Sequence, residues 1–224
     1  MKKKIFFFLM TVIGILIGLT NSCKKEKPGN SSIGIAKSFT EEFDSIYELE
    51  TKGWVITDNS EQLTLWTGWI SKIGPITPPF PAYSYSVSER EFIRASVSGS
   101  SSYYPVSSWL ITPVLSVKNG DKISFYTRAD TGSVYRDRLQ VLMNMSLSSN
   151  VGGTVNSTGN FNTVLFDINS GQVAGGYPVT WTKYEYTFSG ISGRADTRIG
   201  FRYFVPSAMS AKMIGIDLFQ FTSN

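Results

Sequence analysis

The chain has 224 residues, enough for one ordinary domain with appendages. It contains no histidine, which excludes mechanisms built on an imidazole base or ligand. Its single cysteine excludes an internal disulfide, a thiolate zinc site and a dithiol redox pair. The formal charge of +4 falls to +1 once Lys2, Lys3 and Lys4 are set aside, so the surface lacks the basic field that nucleic-acid binding relies on.

Those three lysines open a leader. Residues 5–19 follow as an apolar run of signal-peptide length, short for a membrane span. Next comes Leu19-Thr20-Asn21-Ser22-Cys23, then a polar tract through Lys24, Lys25, Glu26, Lys27 and Pro28. Small residues before a cysteine at the end of such a run resemble a bacterial lipoprotein box, although Thr20 stands where an aliphatic residue is usual. The resemblance implies cleavage before Cys23 and lipidation on it. Two or three acyl chains on one residue anchor a protein in a way a single chain does not. The alternative is a secreted protein with an incidental cysteine. The expected organisation is a signal peptide over 1–22, a flexible tether over 23–35 and one β-sandwich domain over 36–224. The expected location is the bacterial outer membrane or cell surface, with contact to the membrane through the lipid.

Beyond the tether the apolar pattern is alternation or short buried runs, broken by Gly, Pro, Asn and Ser. In chain order it predicts strands near 38–43, 53–57, 63–69, 92–97, 109–112, 122–127, 138–143, 161–167, 182–188, 197–204 and 213–221. Tyr184, Tyr186 and Phe188 share one face, opposite Lys183, Glu185 and Thr187. Ile199, Phe201 and Tyr203 share a face opposite Arg198 and Arg202. Strands with one wet and one buried face fit an all-β, antiparallel two-sheet sandwich of jelly-roll type. Long loops are expected over 74–82, with four prolines, over 146–158, and over 171–178.

Several motifs stand in order along this domain: Phe39-Thr-Glu-Glu-Phe43-Asp44, Gly53-Trp54, Trp66, Ser108-Trp109-Leu-Ile-Thr-Pro113, Gly120-Asp-Lys-Ile-Ser-Phe125, Asp137-Arg-Leu-Gln-Val141, Trp181-Thr-Lys-Tyr-Glu-Tyr186 and Ile216-Asp217. Together they resemble the choice-of-anchor J or cleaved-adhesin family, from about Phe39 to the end. The resemblance implies a concanavalin-like or carbohydrate-module-like jelly roll that commonly binds structural calcium and serves adhesion or carbohydrate binding. Many relatives carry two acids where this chain has Asp217-Leu218.

Calcium takes oxygen ligands and needs neither His nor Cys. If the first and last strands are neighbours, Glu41 or Glu42 approaches Asp217, and the resemblance makes Asp217 and Glu41 the expected metal ligands. An acid inside an apolar strand has three outcomes open to it: a cation, a salt bridge to an arginine, or exposure on the outer face. For a glycan, aromatic rings are the platform, and the candidates are Tyr103, Tyr104, Trp69 and Tyr85, with Trp66, Tyr83 and Tyr135 behind them. Trp54, Trp109 and Trp181 are expected in the core. Glu89-Arg90-Glu91 reads as a solvated edge, and Arg128 to Arg138 as surface ion pairs flanking a hairpin. Asp44-Ser45-Ile46 matches a short bacterial O-glycosylation acceptor pattern. No paired-carboxylate signature, serine–base pair or Ser-x-x-Lys motif is present, so no catalytic residue is expected. The expected function is non-catalytic: a cell-envelope lipoprotein binding glycan, or alternatively a structural or protein-binding accessory domain meeting a surface protein.

Overall fold

The computed structural model describes residues 33–61, 63–64, 66–68, 79–87, 91–97, 104–206 and 211–224. Cys23, Trp69 and Tyr103 lie outside them. Residues Ser32–Asn224 form a compact unit of their own. The twelve strands among the described residues are β1 (Phe39–Glu41), β2 (Val55–Asp58), β3 (Thr67–Gly68), β4 (Ile93–Ser96), β5 (Val106–Ile111), β6 (Leu115–Val117), β7 (Lys122–Ala129), β8 (Leu139–Asn144), β9 (Thr163–Ile168), β10 (Thr182–Thr187), β11 (Ala195–Val205) and β12 (Met213–Thr222). A 3-10 turn, Ile46–Glu48, is the one helical element among the described residues.

The strands form two antiparallel sheets. One runs β10-β7-β12-β4-β3 with β1 also on β12; the other runs β2-β5-β11-β8-β9 with β6 also on β11. The expected neighbourhood of first and last strands holds: Phe39 pairs with Phe221 and Glu41 with Phe219. Residue 35 adds a parallel bridge to Leu115, and Asp196 accepts the backbone N–H groups of Ile33 and Gly34.

The core lies between the sheets and follows the predicted alternation. Ile123, Phe125, Ile199, Phe201, Tyr203, Ile214, Ile216, Phe219 and Phe221 are buried there, with Tyr184 and Tyr186 packed against them. Phe125 sits edge-on to Phe201 at 5.0 Å and stacks on Tyr184 at 5.6 Å. Period-2 patterning made this face legible, because each strand places alternate side chains inward.

Two smaller clusters lie on the outer faces. On one sheet Trp109, Ile111, Leu142, Val151 and Phe161 are buried together, so the 146–162 segment is a packed cover. Arg202 runs beneath it, donating to Ser107 Oγ, Gln140 Oε1 and the Val155 carbonyl. This explains why an arginine on the expected wet face is buried. On the other sheet Phe80, Ala82, Phe92 and Met213 are buried beside the half-buried Trp181. Gly215 permits this packing, since a Cβ there would sit 3.0 Å from the Phe92 ring and 3.1 Å from Trp181.

The polar segment over 128–138 is not a set of surface ion pairs. Arg128 is buried over the Phe80 ring at 4.2 Å. Asp137 is fully buried and accepts the Tyr203 hydroxyl at 2.6 Å and the Lys212 N–H at 2.9 Å. Burial pushes its carboxyl up to about 6, against the pull of those hydrogen bonds. Two residues behave as expected: Arg138, in a bidentate pair with Asp167 at 2.7 and 2.6 Å, and Asp130, paired with Lys212 at 2.6 Å.

Candidate functional site: an acidic corner beside an open polar face

The chain leaving β1 turns sharply at Phe43, whose φ of 57° places it in the left-handed region. The turn gathers Glu41, Glu42 and Asp44 at one corner. Glu41 is buried, accepts the Phe43 N–H at 3.2 Å and pairs with Lys52 at 3.1 Å. Asp217, fully buried on β12, accepts three backbone N–H groups: Tyr83 at 2.7 Å, Ser84 at 3.1 Å and Leu218 at 2.8 Å. Register shifts between Asp217 and Gln220, and Leu218 takes a φ of 47°. The bulge interrupts the ladder just after Asp217, which stays paired with Tyr126 while its carboxylate holds the passing segment.

Residues 83–87 are thus gripped by acids. Asp217 holds Tyr83 and Ser84, Glu42 Oε1 accepts Ser84 Oγ at 3.4 Å, and Asp44 Oδ2 accepts both the N–H and the hydroxyl of Ser86. Burial, reinforced by the charge of Asp44, raises the Asp217 carboxyl to about 7, although its three N–H partners oppose the shift. Glu91 was expected at a solvated edge; it is buried at 4% exposure because it opens into β4 beside Phe92. Among the described residues no three acidic side chains converge tightly enough to hold a metal ion.

The gripped segment presents Tyr83, 42% exposed, and Tyr85, 56% exposed. Tyr83 stacks on Tyr126 of β7, with ring centroids 3.6 Å apart and planes at 17°. From Tyr126 an open face extends across four strands. One row reads Glu185, Ser124, Gln220, Thr40 by direct pairing, and the row before it reads Lys183, Tyr126, Asp217. Lys183, Glu185 and Thr40 are exposed. Lys122 and Lys183 both bind Glu185, at 2.8 and 3.0 Å, so the face carries little net charge.

The other aromatic candidates scatter. Tyr104 is 40% exposed before β5. Tyr135 sits at another loop, with Lys212 Nζ 5.6 Å from its ring. Trp66 is buried and donates its indole N–H to the Ser108 carbonyl at 3.1 Å. Trp54 and Trp109 are buried as expected; Trp181 is only half-buried, on an outer face. Sequence reasoning missed Tyr126 because it lies mid-strand, and missed Glu91 because a charged triplet reads as solvated.

The fold is a two-sheet antiparallel β-sandwich. No family model and no curated protein sequence matches the chain. Among solved structures, the chain is similar to the K1 cleaved adhesin domain of Lys-gingipain from Porphyromonas gingivalis W83, with a TM-score of 0.52 and 14% identity over 84% of this chain and 99% of that one. The K2 cleaved adhesin domain of Lys-gingipain gives 0.50 and 17% identity over 83% and 99%. A family 11 carbohydrate-binding module from Clostridium thermocellum gives 0.39 and 13% identity over 84% and 95%. At these identities the likeness is one of fold.

Proposed function

We propose that the protein is a non-catalytic, lipid-anchored domain of the bacterial cell envelope that binds glycan on its open polar face, with a structural calcium ion at the acidic corner. The observation that carries the glycan reading is the Tyr83–Tyr126 stack beside a row in which Glu185 and Thr40 are exposed, Gln220 is half-buried and Ser124 is buried. Sugar rings offer apolar C–H faces to an aromatic ring and hydroxyls to amides, hydroxyls and carboxylates. Tyr83 supplies the first; Gln220, Thr40 and Glu185 supply the second. Four strands at about 4.8 Å spacing span about 14 Å between the outermost two, the length of a short oligosaccharide. The near-neutral charge of the face suits an uncharged ligand. The two gingipain domains similar in fold are cleaved adhesin domains, which agrees with a surface-binding role.

The test is a glycan array on residues 33–224, with calcium and with chelator. A reproducible hit weakened about two- to tenfold by Tyr83→Ala, the range of a lost aromatic stack, supports the reading. A hit that instead depends on Tyr103 and Tyr104 moves the site to that loop. A blank under both conditions refutes glycan binding. The anchor is tested separately: Cys23→Ser is expected to release the protein from membranes.

A protein partner is favoured by a different observation. Val134 and Val173 are 73% and 61% exposed beside Tyr135, in two loops joined by the Gly175 N–H to Tyr135 carbonyl bond. Pull-down from the envelope that fails with Val134→Ser/Val173→Ser would establish it.

A further inference from the structure

Asp44-Ser45-Ile46 is the one place where the chain sets an aspartate, a hydroxyl residue and an aliphatic residue in succession. Two other aspartates precede a threonine, and both triplets break the pattern at the third position: Asp130-Thr131-Gly132 and Asp196-Thr197-Arg198. The structure separates the three hydroxyls as well. Thr197 is fully buried, and its Oγ1 donates to the Asn144 carbonyl at 2.9 Å. Thr131 is exposed, but its Oγ1 accepts an Arg128 guanidinium N–H at 2.7 Å. Ser45 is half-buried, and its hydroxyl makes no hydrogen bond among the described residues, not even to cap the 3-10 turn that follows it. Its oxygen is not one of the buried unpartnered atoms, so it reaches solvent.

The backbone explains this exposure. Ser45 is extended, with a φ of −145° and a ψ of 101°, and an extended residue points away from both of its neighbours. Those neighbours turn into the protein. Asp44 Oδ2 holds the N–H and hydroxyl of Ser86. Ile46 packs against the core and lies so close to β3 that a Cβ on Gly68 would stand 2.5 Å from its Cγ2. Ser45 is left on the outside, lining a cleft of about 470 Å³, two residues before the 80% exposed Tyr47.

We propose that Ser45 is an O-glycosylation acceptor and carries a glycan on its Oγ in the exported protein. The reaction needs a separate glycosyltransferase and a sugar donor activated as a pyrophosphate. A bond forms between Ser45 Oγ and the anomeric carbon of the sugar. The bond from that carbon to the phosphate oxygen breaks, and the phosphate leaves with the electron pair. The hydroxyl proton passes to a base of the transferase, and nothing is oxidised or reduced. Asp44 and Ile46 are engaged in the folded domain, so a transferase that reads them meets the chain before this corner closes. Folding then leaves the modified oxygen outside, where a bulky hydrated group disturbs no packing. The assignment rests on the reading of the protein as one of the bacterial envelope. It does not rest on the glycan-binding face, which takes a separate ligand and does not include Ser45.

The test is mass spectrometry of the full-length protein purified from the envelope of its own bacterium, with peptide fragmentation that keeps side-chain sugars attached. Wild type is expected to carry the mass of one or more sugar residues, localised to Ser45. Ser45→Ala is expected to lose that mass entirely, and Ser45→Thr to keep it, since either hydroxyl fits the pattern. Asp44→Asn retains an acceptor oxygen for Ser86 and is expected to lose most of the modification. Thr131→Ala is expected to change nothing. Ser45→Ala made in a host without such a transferase is expected to melt with wild type from the same host, because the hydroxyl bonds to nothing. Envelope protein with an unmodified Ser45 overturns the inference, and so does a sugar mass that persists in Ser45→Ala. Protein recovered from the cytoplasm without sugar overturns the envelope reading and this inference with it. A sugar on Ser45 together with a blank glycan array supports this inference and refutes only the ligand reading.

Discussion

Asp137 is the sharpest lever on stability. It lies fully buried in the segment between β7 and β8, bonded to Tyr203 and to the Lys212 N–H. Its carboxyl ionises near pH 6 in the folded protein against an ordinary value of 3.8. A group whose folded pKa is raised stabilises the fold fully below its unfolded value and loses that contribution as pH rises through its folded value. The gap of about two units corresponds to about 3 kcal/mol at about 1.4 kcal/mol per unit. Stability from this residue is therefore expected to fall between about pH 4 and pH 6 and to level off above that. Urea denaturation of wild type and Asp137→Asn across that range isolates it, because Asp217 has the same sign and remains in both. The variant is expected to lose up to about 3 kcal/mol of the pH-dependent fall. Equal pH slopes in the two proteins would refute the claim that burial sets the ionisation of Asp137.

Three further outcomes follow from the packing. Gly215→Ala, whose Cβ would stand 3.0 Å from Phe92, is expected to destabilise by about 1–3 kcal/mol in thermal melts, by overpacking beneath Trp181. Trp109→Ala empties the second cluster and is expected to cost about 3–5 kcal/mol, with limited proteolysis then cutting within 146–162. Lys52→Met leaves Glu41 buried without its counter-ion; because the lysine side chain is 45% exposed, the expected cost is only about 1 kcal/mol, shrinking in high salt.

What the sequence by itself determined is the sandwich. Alternation in 182–188 and 197–204 reports which side chains face inward, and the structure buries Phe125, Phe201 and Phe219 in the predicted core. Ten of the eleven expected strands need only a shift of their ends. The 63–69 segment keeps a two-residue pairing within its described part, and β6 was not foreseen, because three residues after Pro113 are too few to show a period. Pairing of the two terminal strands followed from the expected jelly-roll architecture, in which first and last strands are often neighbours.

Only the tertiary structure decided what covers the outer faces. Periodicity distinguishes two sides of a strand but cannot say that a loop returns to bury the second one. Arg202, Trp109, Phe80 and Phe92 are buried on outer faces for that reason. The acidic corner is of the same kind. Glu41, Glu42, Asp44, Glu91 and Asp217 come from three places in the chain, and the bulge at Leu218 and the turn at Phe43 bring them around residues 83–87. Asp217 takes donors from Tyr83 and Ser84, more than a hundred residues away, a relation that no local pattern of residues encodes.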